Sequence, residues 1–164
     1  MKVMRLRTLG TLALEESKFR RVKPLLLLAY LTLEGSKPRR YLAELFWPDA
    51  SSAMNSLSVA LSQLRRSDVP IEADDVRAWA EVASDVQELK KALTDGALET
   101  ALALYQGPFL EDVDLDLGVE LEEWLFETRE NLAAQTRSAA LVRAERDASQ
   151  GRFADAAKWA QQAF

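Results

Sequence analysis

The chain contains no cysteine and no histidine in 164 residues. The first absence removes disulfides, thiolate nucleophiles and every zinc site built on sulfur ligands. The second removes the commonest general base and the commonest transition-metal ligand. No Ser-His-Asp or Cys-His mechanism can be assembled from these side chains. Carboxylate, lysine, tyrosine or metal–oxygen chemistry would remain, but no catalytic or metal-ligating constellation stands out and no cofactor is expected. Also missing is an apolar run of membrane length: the longest, Leu25 to Leu33, is roughly half of a bilayer-spanning helix. It follows Arg20, Arg21 and Lys23, as the apolar part of a signal peptide would. The charged segment before it is too long for that role, and Glu34-Gly35-Ser36-Lys37-Pro38 is a poor cleavage site. A buried core helix in a cytoplasmic protein without membrane contact is the expectation, and an apolar fraction of 48% can fill a core.

The formal net charge of −5 taken alone argues against nucleic acid as a partner, yet the charge is unevenly spread. Residues 1–66 hold twelve Lys/Arg and five Asp/Glu, a local +7; residues 67–83 hold one and five, a local −4; residues 84–164 hold eight and sixteen, a local −8. A basic first third joined to an acidic remainder suggests two modules with different partners.

Alternation of Val3, Leu6, Leu9, Leu12 and Leu14, interrupted at Gly10, predicts two short strands around a turn. Pro24 suits the first turn of a helix, where its missing N–H is not needed, and Gly35 to Pro38 ends that helix. A second helix over Arg39 to Phe46 places Leu42, Leu45 and Phe46 inward, and Trp47-Pro48-Asp49 breaks it. Asp49 or Ser51 can cap a third helix running to about Arg66. With Leu57 at the centre of its buried side, Ala53, Met54, Ala60, Leu61 and Leu64 fall within about 60°. Ser51, Ser52, Asn55, Ser58, Val59, Ser62, Gln63 and Arg66 fall on the other side. Val69 to Val82 predicts a small hairpin with Val69, Ile71, Val76 and Trp79 as strand residues. After Ser84-Asp85 the chain is expected to be helical: through Leu93, over Ala97 to Tyr105, from about Leu121 to Ser149, and a last helix with Phe153, Ala157, Ala160 and Phe164 along one face.

Two strands, three helices and a hairpin, with a polar third helix behind a basic second one, is the order of a winged helix, in which the third helix can enter the major groove. Small serines let the backbone approach DNA, Asn55 or Gln63 can read an adenine edge, and Val59 can pack on a thymine methyl. Arg39 and Arg40, and Arg65 and Arg66, are natural phosphate contacts. Arg65 and Arg66 equally suit the C-terminal end of a helix, and a serine-rich face can simply be solvated. The segment Glu111 to Leu117 lacks the glycine and the distal glutamate of a calcium loop and reads as a solvated connection whose aliphatic side chains tuck inward.

Tyr41-Leu-Ala-Glu-Leu-Phe-Trp-Pro-Asp49, then Ala53-Met-Asn-Ser-Leu57 and Ala60-Leu-Ser-Gln-Leu-Arg-Arg66, resemble the Streptomyces antibiotic regulatory protein (SARP) family. Ser84-Asp85-Val86, Tyr105-Gln-Gly-Pro-Phe-Leu110, and Trp124 with Arg129 resemble the second domain of that family, and Gly151-Arg-Phe-Ala-Asp-Ala156 resembles part of a tetratricopeptide pair. The resemblance spans nearly the whole chain. It implies an OmpR-type winged helix over about 1–83 and a helical, tetratricopeptide-like bacterial transcriptional activator domain over about 84–164, mainly α with small β elements. The implied function is a transcriptional regulator of double-stranded DNA, not an enzyme, with RNA polymerase or a second copy of the chain as partner of the helical domain. The implied groove-facing residues are Asn55, Ser58, Ser62, Gln63 and Arg66, with Arg39 and Arg40 near phosphates; the helix face read above adds Ser52, Val59 and Arg65 to the DNA-binding candidates, and Trp47 is expected to pack the turn between helices. The chain departs from the family where arginine is frequent, at Met54, Ser58 and Gln63, and its hairpin carries Asp74, Asp75 and Glu81 against Arg77. These departures support an alternative, a protein-interaction adaptor on the same fold with weak or no DNA binding. Phe164 would close one tetratricopeptide-like pair where the family continues through further pairs, which suggests a fragment of a longer protein or an end that docks elsewhere.

Overall fold

A computed structural model describes residues 4–163; Val3 and Phe164, each given a place above, lie outside the described residues. Arg5–Arg7 (β1) and Ala13–Leu14 (β2) pair antiparallel, with Leu6 opposite Leu14 and both buried. The apolar run forms α1, Val22–Glu34, and every residue from Pro24 to Leu31 is buried. A helix apolar on all sides needs neighbours all round, and α1 is the central element. It is followed by Lys37–Pro38 (β3), Arg39–Phe46 (α2) and Ala53–Arg66 (α3), then a hairpin of Ile71–Ala73 (β4) and Arg77–Ala80 (β5). Strand β3 joins β5, so one sheet has the order β3-β5-β4. Ala83–Ser84 (β6) returns to pair parallel with β1, giving a second sheet ordered β2-β1-β6. Four helices follow: Asp85–Thr94 (α4), Leu98–Leu104 (α5), Val119–Ser149 (α6) and Phe153–Gln162 (α7). The chain is mainly helical, with seven helices among the described residues.

Several local expectations shift. Met54 is 42% exposed rather than buried: it sits in the first turn of α3, at the edge of the buried side about 60° from Leu57. The residue preceding α3 is Ser52, not Asp49 or Ser51, and its side chain makes no capping bond. Val76 lies at the hairpin tip, outside both strands and exposed; Ile71 and Ala78 are the inward residues there. In the acidic segment Leu117 is buried but Leu115 points outward, 41% exposed. Helix α7 turns its Ala156, Trp159 and Ala163 side inward, leaving Phe153 and Ala157 exposed, because Trp159 reaches the buried Asp147 of α6 through a 3.0 Å bond from its Nε1. Asp147 also accepts from Arg143 Nε (3.3 Å) and Arg152 Nη2 (2.9 Å), so this one carboxylate fixes the angle between α6 and α7.

One hydrophobic cluster runs from Leu6 to Leu132, across the boundary expected at 83/84. Trp124 of α6 is its joint: the indole packs on Tyr30 (centroids 4.9 Å) and Phe109 (5.7 Å), and its Nε1 donates to Glu34 Oε1 at 2.9 Å. Burial is the main cause that raises the Tyr30 phenol, followed by its bond with Tyr41. Arg129, five residues further along α6, donates to the carbonyls of Phe109 (2.8 Å) and Leu110 (3.0 Å) and so holds the 107–110 loop in place. The glycine in that loop is required by close approach: a Cβ at Gly107 would lie 3.0 Å from Gly10 Cα. Two backbones meet there, so Gly107→Ala is expected to lower stability by about 1–3 kcal/mol, read as a shift in the urea midpoint. A loss below half of that would mean the loop moves freely aside.

A second tie across the boundary is ionic. Arg5 reaches Glu88 of α4 with two bonds, 2.9 and 2.7 Å, and Glu15 with a third. Hydrogen bonding from Arg5 holds the Glu88 carboxyl below its ordinary 4.5. A depressed carboxylate stabilises the fold above its unfolded pKa and loses that contribution as pH falls through the folded value. Since the pair is partly exposed, its contribution at neutral pH is about 1 kcal/mol or less. Glu88→Gln should therefore unfold at slightly lower urea than the parent at pH 7, and the gap should close as the medium is acidified below 4.5. A gap that persists in acid would assign the effect to packing.

Candidate functional site

The sequence of α3 alternates Leu57, Ala60, Leu61 and Leu64, all buried, with residues that face away from the core. At 100° per residue Asn55, Val59, Ser62 and Arg66 form the crest of the outward side. Asn55, Val59 and Arg66 are exposed, and Ser62 is half-buried. Ser58 and Arg65 lie on one flank of this crest and Gln63 on the other, with Ser52 exposed just before the helix.

The Ser58 flank is closed by the hairpin. Arg39, the first residue of α2, does not project freely: its Nη1 donates to the Asp74 carbonyl (2.9 Å) and its Nη2 to Ser58 Oγ (3.1 Å). Its backbone N–H donates to the Val76 carbonyl at 2.7 Å, and its Nε is buried without a partner. Ser58 in turn donates to the Met54 carbonyl at 3.0 Å. These two residues, each expected to meet DNA independently, are joined to each other. Further along, Arg65 Nη2 reaches the Ala73 carbonyl at 3.4 Å. At the tip, the Asp74 carboxylate accepts the backbone N–H of Val76 (2.8 Å) and Arg77 (2.6 Å), an Asx-turn. Those bonds, Arg77's first, keep it ionised below its ordinary value, with lesser help from the charges of Arg77 and Arg39. The acid at the tip thus faces its own turn, while Asp75 stays exposed.

On the opposite flank Asn55, Val59 and Gln63 line a shallow cleft of about 290 Å³ with Ser56, Lys23 and Trp47. The Lys23 ammonium stands 5.2 Å from the Trp47 ring centroid, a cation–π arrangement. Burial pushes the Lys23 pKa down, and Asp116 opposes that shift. Trp47 packs on Phe46 as well (centroids 6.0 Å), so it both fills the turn after α2 and forms the wall of the cleft. Arg40 and Arg66 are exposed and make no ion pair among the described residues.

The arrangement gathers Asn55, Val59, Gln63 and Lys23 in one cleft, and Arg39, Ser58 and Arg65 along the hairpin. Positions 58 and 63 carry no charge of their own, yet each lies beside a cation from another element, Arg39 and Lys23 respectively. No family model and no curated protein matches this chain. Lys23 is the residue that sequence reasoning missed. Its charge was visible in the Arg20-Arg21-Val22-Lys23 run, but the run reads only as the edge of an apolar helix until α1 is seen to begin beside α3. Among the described residues no helix is long and apolar enough to cross a membrane.

Proposed function

We propose that the protein is a transcriptional regulator that binds double-stranded DNA through a winged helix, with α3 in the major groove and the β4–β5 hairpin as the wing. The outward face of α3, with Asn55, Val59, Ser62 and Arg66 along its crest and cations on both flanks, is the observation that carries this reading. Asn55 and Gln63 then offer bidentate amides to base edges, Val59 a methyl contact, and Lys23, Arg40, Arg65 and Arg66 the phosphate contacts. Arg39 acts one step back, by fixing the hairpin against Ser58. The sequence resemblance to the SARP family supports the same reading, with α4–α7 as a tetratricopeptide-like activator domain that meets RNA polymerase or a second copy of the chain in the cytoplasm. No catalytic step is assigned to the protein. A second reading, a protein-interaction adaptor without DNA affinity, is favoured by the engagement of Arg39 within the protein and by exposed Asp75 at the wing tip.

Fluorescence anisotropy with mixed-sequence duplex DNA across a salt series decides between them. A regulator binds measurably at low salt, and log affinity falls linearly with log salt, by about 0.9 per phosphate neutralised. Absence of binding at low salt by folded protein would leave the adaptor reading.

A further inference from the structure

The helical half contains a cleft apart from the surface proposed to face DNA. It has a volume of about 310 Å³, opens to solvent on one side, and lies where α5, α6 and the end of α7 converge. Ala133, Thr136, Arg137 and Ala140 come from one face of α6 at the spacing i, i+3, i+4, i+7, and Leu102 and Tyr105 face them from α5 and the residue after it. We propose that this cleft is a binding site for a small carboxylic acid with a flat apolar body.

Three features define that ligand. The lower part of the cleft is apolar: Leu102, Ala140 and Ala163 belong to a buried cluster of their own. A cavity of this size is at the small end of the range, roughly 300–1,000 Å³, in which ligand pockets fall, and such pockets are mostly apolar with few converging polar groups. The second feature is Arg137, the one guanidinium lining the cleft, which is exposed and has no ion-pair partner among the described residues. A guanidinium holds a carboxylate bidentately, in a plane. The third is Tyr105, whose hydroxyl makes no hydrogen bond among the described residues, so it is left to donate to a ligand oxygen while its ring presents an apolar face. The Tyr105 phenol is raised mainly by burial; Arg137 and Arg129 act against the shift, and Glu130 and Glu111 add to it. The neighbouring Gln106 is held in place by Arg7, whose Nη2 donates to its Oε1 at 3.0 Å. One wall of the cleft is therefore anchored to β1 before any ligand arrives.

The experiment is an NMR titration of methyl-labelled protein with 2-naphthoate, its uncharged relative 2-naphthamide serving as control. Saturable shifts are expected at the methyls of Ala133, Thr136 and Ala140, with the amide about tenfold weaker. Arg137→Gln should weaken the acid by the same order and leave the amide unchanged. Ala133→Phe should block both, its fold verified by undisturbed methyl signals around Leu57 and Leu61. No saturable shift at these methyls, equal affinity for acid and amide, or an Ala133→Phe variant that binds as well as the parent would each overturn the assignment. None of these outcomes depends on DNA binding.

Discussion

Replacing Asp85 by alanine is expected to lower the unfolding free energy by about 3–5 kcal/mol, the largest stability loss expected for a single polar side chain here. Asp85 opens α4 and is only 4% exposed, yet it makes no ion pair among the described residues. Its carboxylate instead accepts from the Thr8 backbone N–H (3.0 and 2.9 Å to its two oxygens), from Thr8 Oγ1 (2.7 Å) and from the Leu9 N–H (2.9 Å). The α4 N-terminus adds favourable dipole interaction with the negative charge. Alanine would strand two buried backbone N–H groups and a hydroxyl at the end of β1, where water cannot reach them: Thr8 is fully buried and Leu9 is 1% exposed. Each such orphan costs about 1–3 kcal/mol, against a total that for a domain is about 5–15 kcal/mol. Asp85→Asn, which keeps one oxygen but turns an NH₂ group toward a donor, should fall between parent and alanine. Urea unfolding followed by circular dichroism gives the midpoints. A loss below about 1 kcal/mol for alanine would mean that β1 shifts to satisfy its own donors.

Asp85 also shows what in the fold was legible from sequence. Ser84-Asp85 reads as a helix start, and Ser84 does cap α4, its Oγ accepting the Gln87 N–H at 3.2 Å. That the aspartate reaches back across 77 positions to Thr8 is tertiary information with no local signature. The same divide recurs along the chain. Helix limits follow from local chemistry, because Pro24 and Gly35 act on neighbouring residues, and α4 to α7 lie close to their expected spans, α6 starting at Val119 rather than about Leu121. Faces follow from periodicity only where one side is clearly apolar, as in α3 with Leu57, Leu61 and Leu64. In α7, where alanines occur on several sides, Ala156, Trp159 and Ala163 turn inward because Asp147 of another helix draws the Trp159 indole. Within the candidate site, Asn55, Val59 and Arg66 were legible as an outward row. The pairing of Arg39 with Ser58, and the placement of Lys23 beside Gln63, depend on how α1, α2 and the hairpin pack around α3.

Charge reversal of Lys23 and Arg66 together is expected to weaken duplex binding by on the order of a hundredfold at about 0.1 M salt, and to make the salt dependence shallower by about 1.8 in log–log slope. The two sit on different parts of the proposed face, Lys23 at the cleft beside Trp47 and Arg66 on the crest at the C-terminal end of α3. Lys23 has no carboxylate within ion-pair distance among the described residues, and neither has Arg66, so neither reversal breaks an internal bridge. Lys23→Glu forgoes the cation–π contact with Trp47, a loss of about 0.5–1 kcal/mol at a partly exposed site, small enough for the fold to persist. The comparison that isolates position from net charge is a Lys90→Glu, Arg146→Glu double variant. Both residues are exposed in the helical half, and the reversal changes the total charge equally. Beyond about 8–10 Å such charges are screened at this ionic strength, so that variant should bind within about twofold of the parent. If both double variants lose affinity alike, the interaction is a response to net charge and α3 is not its seat. A loss confined to Lys23 and Arg66 places the duplex against the face that Asn55, Val59 and Gln63 share.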